Sequence, residues 1–302
     1  MTFLLALIIA FVLFLASVTI ILFLIGPTLL LRPRRRTAAF YCSLGLPTSP
    51  EELGLPYEKI DVSLDDGMKL HSWLIKSQQP TKGTILYLHG VADSMIDGLR
   101  FAKLVHDRNY NVFLYDARRH GKSDGRFCTY GYYEKFDVSR IIDYLSTRKD
   151  VQLGNIGLFG TSMGAAVSLQ AAAIDKRISA VVSENSFATL RTIFDDYQRR
   201  MIQLPFHFLR NIVILRSEIM AHFKASDVSP LDSVRNISVP ILFIYAENDR
   251  HIKYTYSLML YENAAGPKDV YPIPQATHMD TWHVGGKAYE SRVMDFFERN
   301  LR

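Results

Sequence analysis

The chain is expected to fold as an α/β protein around a mostly parallel, eight-stranded sheet with helices on both faces, and two observations lead there. Short apolar runs alternate with helical stretches along most of the chain, the pattern that buries a parallel sheet under helices. A pentapeptide, Gly160-Thr161-Ser162-Met163-Gly164, stands where one such run, Asn155 to Phe159, ends and a small-residue helix, Ala165 to Ala173, begins. A third observation adds a separate element: Thr2 to Leu31 contains no charged residue.

That first segment reads as a membrane-spanning helix. Thr2 to Ile25 runs unbroken to Gly26-Pro27 and, at about 1.5 Å per residue, reaches roughly 35 Å, enough to cross a hydrocarbon core of about 30 Å. A cleaved signal peptide fits less well, because no basic residues precede the apolar run, the run is too long and no Ala-x-Ala site follows it. A buried core helix rarely needs such unbroken apolarity. Arg32, Arg34, Arg35 and Arg36 follow at once, and this charge bias places them, with the domain behind them, in the cytoplasm. Asn236-Ile237-Ser238 matches a glycosylation acceptor and argues for the other side, but three residues carry little weight. The expected organisation is an anchor at 1–31, a basic juxtamembrane segment and tether at 32–57, and the main domain at 58–302. Pro47, Pro50, Pro56, Gly45 and Gly54 give the tether its composition.

Lys59 to Ser63 and Leu70 to Lys76 read as strands joined through Asp65-Asp66-Gly67, an antiparallel hairpin opening the sheet. Gly83 to Leu88 is a buried strand, followed by a helix from Ser94 to Arg108 and a strand from Asn111 to Tyr115. A helix from Tyr133 to Arg148, the strand and helix around Ser162, and strands Ile178 to Ser183, Pro240 to Ala246 and Val270 to Ile273 come next. A helix from Gly286 to Asn300 closes the chain. Residues 187–236 interrupt this rhythm with a stretch too long for a simple connection and are expected to form a helical cap. Its Phe194, Tyr197, Met201, Leu204, Phe206, Phe208, Leu209, Ile212 and Val213 supply much apolar surface. Packing onto the body explains any one of them as well; together they favour a greasy substrate between cap and sheet.

A serine on a sharp strand-to-helix turn has its hydroxyl pushed outward, and Gly160 and Gly164 leave room for that turn. Such a nucleophile needs a base, an acid to orient the base, and donors for an oxyanion. Leu88-His89-Gly90-Val91 ends a buried strand, so the Val91 amide is one expected donor; the Met163 amide, at a helix N-terminus, is the other. Asp249, after the strand ending at Ala246, is the expected acid, and His278, on the loop before the closing helix, the expected base. The order Ser, Asp, His is that of one of three known arrangements. Asp280, His283 and Glu184 are rivals for the triad, Asp280 being better suited to orienting the histidine loop. His89 is expected to structure the oxyanion loop, and His120, Lys122 and Asp124 the loop after the strand ending near Asp116.

With Leu-His-Gly at 88–90, Asp116 and His120-Gly121-Lys122-Ser123, Gly-Thr-Ser-Met-Gly at 160–164, Asn-Asp at 248–249 and Thr-His-Met-Asp-Thr-Trp at 277–282, the chain resembles α/β-hydrolase-fold serine hydrolases over about residues 58 to 301. The apolar N-terminus and the His278 motif are most similar to membrane-anchored members related to serine peptidases and lysophospholipases. The resemblance implies a machinery and leaves the substrate open. The expected reaction is cleavage of a carboxylic ester or thioester, a lipophilic acyl compound favoured, by Ser162, His278 and Asp249, with no metal or organic cofactor. The membrane bilayer is the expected partner. An amidase or peptidase is the alternative within enzymes, and Asp195-Asp196 is the one acidic pair that suggests a site for a substrate amine. A catalytically silent membrane scaffold is the alternative outside them.

The formal net charge of +5 invites a nucleic-acid partner, but the basic residues are scattered rather than striped with aromatics, so none is expected. Cys42 and Cys128 are expected to be free thiols, since their spacing suggests neither a metal site nor a disulfide framework.

Overall fold

The structure is a computed structural model that describes residues 2–151, 153–201 and 207–301. It opens with α1 (Thr2–Ile20), a π-helical turn at Ile21–Ile25, and α2 (Gly26–Leu31), which together form one apolar helix long enough to cross a membrane. The wide turn has a local cause. Pro27 lacks an amide hydrogen and its ring would collide with the carbonyl of Phe23 in a regular helix, so the backbone opens there.

Residues 32–57, expected as a basic segment and tether, are folded onto the body. They contain α3 (Ala38–Ser43) and a 3-10 turn at Pro50–Leu53, and Tyr41, Pro50 and Leu55 are buried. The sheet then follows: β1 (Glu58–Ser63), β2 (Lys69–Ile75), β3 (Thr84–Leu88), α4 (Leu99–His106), β4 (Asn111–Tyr115), α5 (Glu134–Thr147), β5 (Ile156–Thr161), α6 (Met163–Ile174) and β6 (Ile178–Glu184). The expected cap region holds α7 (Leu190–Met201), α8 (His207–Ala221) and α9 (Pro230–Ser233); Leu204 and Phe206, expected to add to its apolar surface, lie outside the described residues. β7 (Ile241–Ala246), α10 (Tyr254–Asn263), β8 (Lys268–Ile273) and α11 (Thr281–Asn300) complete the chain.

The eight strands lie in the order β1-β2-β4-β3-β5-β6-β7-β8, antiparallel for β1/β2 and β2/β4 and parallel thereafter. β3, β4 and β7 are buried at every position, as required of strands covered on both faces. Leu86 and Leu88 face a core shared with α5, α6 and α10, whereas Ile85 and Tyr87 face one shared with α4 and α11. β1 is an edge strand, and its exposed charges Lys59 and Asp61 discourage edge-to-edge pairing.

Two boundaries differ from expectation. The helix expected from Ser94 begins as a 3-10 turn at Met95–Gly98, because the Met95 amide is drawn to the Asp116 carboxylate at 2.8 Å. The closing helix starts five residues before Gly286, which is a kink inside it (φ 53°) rather than its first turn.

The strand order positions the site. After β3 the chain crosses to β4 on one side, then returns to β5 on the other. A crevice opens where the winding reverses, at the carboxyl ends of the strands, and this is where doubly wound sheets bind ligands. The Gly90-Val91 loop and Ser162 leave those two strand ends.

Candidate active site

Ser162 sits between the last residue of β5 and the first of α6 with φ 54° and ψ −116°, a conformation that costs an L-residue of order 1–3 kcal/mol. The fold holds it there. Its amide donates to the Glu184 carbonyl at 2.8 Å, and its own carbonyl accepts from the Ala166 amide at 3.2 Å. Close packing explains the flanking glycines: a Cβ on Gly160 would lie 2.3 Å from the Gly164 carbonyl oxygen, and one on Gly164 1.9 Å from that of Leu88.

The hydroxyl faces His278. Nε2 of that ring is 3.0 Å from Ser162 Oγ, and Nδ1 is 2.6 Å from Asp249 Oδ2. The Asp249 side chain is 1% exposed and that of His278 13%. The other carboxylate oxygen, Asp249 Oδ1, accepts the amides of His251 at 2.7 Å and Ile252 at 2.8 Å. Both oxygens are therefore oriented, and the imidazole must donate from Nδ1, leaving the Nε2 lone pair toward the serine. Asp280 Oδ1 accepts the Thr277 amide at 2.6 Å, which shapes the loop carrying His278.

The Gly90-Val91 loop packs against the same serine. A Cβ on Gly90 would lie 3.4 Å from Ser162 Cβ. Among the described residues the amides of Val91 and Met163 find no acceptor, so both are free to donate to a ligand. His89 braces this loop: Nδ1 donates to the Gly90 carbonyl at 2.8 Å, and Nε2 accepts the Ala117 amide at 3.0 Å. Burial holds that imidazole below its ordinary range, consistent with a neutral, structural ring.

A family model described as serine aminopeptidase, S33, matches residues 79–229. The chain belongs to that α/β-hydrolase family. YqkD of Bacillus subtilis is 30% identical over 220 residues, covering 72% of each chain. A Saccharomyces cerevisiae protein described as a membrane protein is 27% identical over 240 residues, 77% of each. The Pyrococcus furiosus esterase Pf2001 shares the fold, with a TM-score of 0.73 at 24% identity over 90% of this chain and all of that one.

In this hydrolase the crevice beside Ser162 is a cavity of about 430 Å³, lined by Leu46, Val91, Phe101, Phe159, Met279 and Trp282 among others. Its size is that of a small-molecule site. Three carboxyls, Asp93, Asp97 and Glu184, line its wall. Burial pushes Asp97 up to about 6, with the Asp93 charge adding to the effect, and Tyr87 donates to Asp97 at 2.6 Å. Burial likewise pushes Glu184 up to about 7, partly offset by the hydroxyl of Tyr289, which donates to it. Glu184, a rival for the acid position, is thus committed to Tyr289, and Asp249 alone meets the imidazole.

The remaining candidates are structural. Asp116 binds the Met95 and Lys122 amides, each at 2.8 Å, and Asp124 binds the Lys69 amide at 2.9 Å. His120 is driven down to about 3, chiefly by burial. His283 lines the cavity wall without a place in the row. Asp195 pairs with Arg210, while Asp196 binds Lys253 at 2.5 Å and Tyr256 at 2.6 Å, so neither offers a free carboxylate for a substrate amine. Cys42 and Cys128 are both free thiols.

Sequence reasoning missed two supports. Asn185 (φ 53°) accepts the Ala246 amide and donates to Thr281, both at 2.9 Å, and so joins the ends of β6, β7 and α11 around His278. Its left-handed backbone directly after a strand was the available signal. Arg36 forms an ion pair with Asp93, three residues beyond Gly90, and its amide donates to the Ala92 carbonyl at 3.1 Å. No local pattern relates residues 57 positions apart.

Proposed function

We propose that this hydrolase is a membrane-anchored serine esterase or thioesterase that favours a lipophilic acyl substrate. The observation that carries the reading is the row of two hydrogen bonds, Ser162 to His278 at 3.0 Å and His278 to Asp249 at 2.6 Å. Ser162 Oγ attacks the carbonyl carbon while its proton passes to His278 Nε2, and Asp249 stabilises the imidazolium. The oxyanion is received by the Val91 and Met163 amides; losing one such donor typically costs about 3 kcal/mol in the transition state. The imidazolium then protonates the departing alcohol or thiol, leaving an acyl-serine. Water, deprotonated by His278, attacks that ester, and collapse of the second oxyanion releases the acid and restores Ser162.

Three features support a lipophilic substrate. Leu46, Val91, Phe101, Phe159, Met279 and Trp282 give the cavity an apolar part beside charged residues such as Arg36, Asp97 and Arg100, an apolar 29-residue helix precedes it, and the two are close. Arg36 lines the cavity only five residues after the helix ends at Leu31, a distance of at most about 18 Å along the chain. A lipid ester would be concentrated there. The yeast relative's description as a membrane protein points the same way. In this reading residues 1–31 are a single-pass anchor, 58–302 carry the chemistry, and the arginines after the span keep it in the cytoplasm.

Labelling with a fluorophosphonate, which requires an activated serine, tests the proposal. The full-length protein in bilayers is expected to label, and Ser162→Ala to lose all label. A folded wild type that takes no label would sink it in favour of the scaffold, and a variant that labels equally would sink the assignment of Ser162 in favour of another serine.

A further inference from the structure

The cap helix α8 is apolar on two faces. Ile214 and Ala221 are buried against the body, and on the side turned outward Phe208, Leu215 and Ile219 are 58%, 57% and 55% exposed. With exposed Asn211 and, just past the helix end, His222 they form one stripe, at spacings of three, four, four and three residues, the spacing of a single helical face. An outward face on a soluble protein is ordinarily polar, so two large apolar side chains one turn apart, Leu215 and Ile219, call for a cover.

The position of α8 says what the cover is. The apolar helix Phe3–Leu31 has 29 residues, about 43 Å at 1.5 Å per residue, which exceeds the hydrocarbon thickness of about 30 Å and equals hydrocarbon plus headgroup layers, about 40–45 Å. Once α1 fills the hydrocarbon, the turns from Ile21 to Leu31 emerge at headgroup depth. α8 packs against those turns. The contact is close at Gly26, where a Cβ would lie 3.1 Å from a Val213 methyl. It is also specific, since Arg216 Nε donates at 3.4 Å to the Phe23 carbonyl, the group that Pro27 cannot serve. Leu24 and Leu29, within those turns, are themselves exposed apolar side chains.

We propose that α8 is an interfacial helix: its Phe208, Leu215 and Ile219 stripe enters the lipid of the leaflet from which the anchor emerges. Seating α8 brings α7, whose Tyr197 lines the cavity, to the bilayer, so a substrate reaches the site from the leaflet. This rests on the reading of α1 as a membrane span.

The test uses the full chain, with Cys42→Ser, in phosphatidylcholine vesicles carrying nitroxide-labelled acyl chains; Cys128 is buried and escapes labelling. A fluorophore is placed by Leu215→Cys, Ile219→Cys, Phe14→Cys in the anchor, or Lys149→Cys at the far end of the sheet. The Leu215 and Ile219 sites are expected to be quenched severalfold more than Lys149. Quenching at Phe14 with none at either α8 site overturns the proposal while leaving the span intact. Quenching at α8 without Phe14 removes the span and keeps α8 as a peripheral contact, and its absence at all three removes both. Energy transfer between copies through the α8 sites, with no lipid quenching, assigns the stripe to a second copy and overturns the proposal.

Discussion

Asp249→Asn tests the proposed chemistry more sharply than removal of the serine, because it changes a proton's position and little else. Asp249 Oδ1 accepts two backbone amides, from His251 and Ile252. In the variant the amide oxygen must take that place, since an NH2 group pointed at two N–H donors would leave all of them unsatisfied. The NH2 therefore faces His278 Nδ1, which must become an acceptor, and the imidazole proton moves to Nε2. There it donates to Ser162 and cannot remove the serine's proton. The known cost of this tautomer reversal in a serine protease is about 10⁴ in kcat, close to 5.5 kcal/mol of transition-state stabilisation. The assay is hydrolysis of a p-nitrophenyl ester by wild type and variant, with KM expected to hold within a few-fold and thermal stability to be kept. A folded variant that loses less than about tenfold would refute the assignment of Asp249.

Activity on p-nitrophenyl esters should rise from acetyl toward octanoyl, each methylene buried in the cavity adding up to about 0.8 kcal/mol, or about fourfold in kcat/KM; equal rates along the series would count against the greasy pocket. Gly164→Ala should abolish fluorophosphonate labelling and lower the unfolding temperature, because its Cβ would meet the Leu88 carbonyl, which cannot rotate away; a stable, labelled variant would show that the elbow has room to relax. Glu184 has its folded pKa raised to about 7 from 4.5, so its contribution is present below about pH 4.5 and lost as pH rises through 7, a swing of about 3 kcal/mol. Glu184→Gln should therefore gain stability relative to wild type between pH 5 and 8.5, and thermal unfolding midpoints whose difference does not move with pH would contradict the buried-carboxyl reading.

The parts of the site that the sequence revealed are those tied to strand ends. Ser162, Asp249 and His278 each follow an apolar run that any pattern reading finds, and chain order alone matches them to roles. The sheet's strand order was not legible, since nothing local tells β4 to lie between β2 and β3. Nor was the start of α11: Gly286 looks like a helix boundary, yet the preceding turn is helical from Thr281, whose hydroxyl accepts from Asn185. The segment 38–57 has the prolines and glycines of a linker, but Leu55 fits into a core built by residues far along the chain, and Tyr41 is buried with its hydroxyl donating to Asp93 and accepting from the Ser94 amide. Proline content reports local stiffness and is blind to such pockets.

The apolar N-terminal helix and the cavity are joined by contacts that composition hides. The Leu30 and Leu31 carbonyls, left open at the end of α2, accept from the Tyr130 hydroxyl and the Cys128 amide, each at 2.8 Å. The Cys128 thiol in turn lies 3.4 Å from the Met163 sulfur, beside the turn that carries Ser162. On the other flank Arg35 donates to the Gly121 carbonyl at 3.2 Å, and Arg36 ties down Ala92 and Asp93. Burial pushes the Asp93 carboxyl up while the Arg36 guanidinium pulls it back, so removing that cation favours the neutral carboxylic acid. The Asp93 amide donates to the Gly90 carbonyl at 3.2 Å, in the loop where the proposed oxyanion donor sits. The arginines that follow the apolar helix therefore also hold the wall of the site.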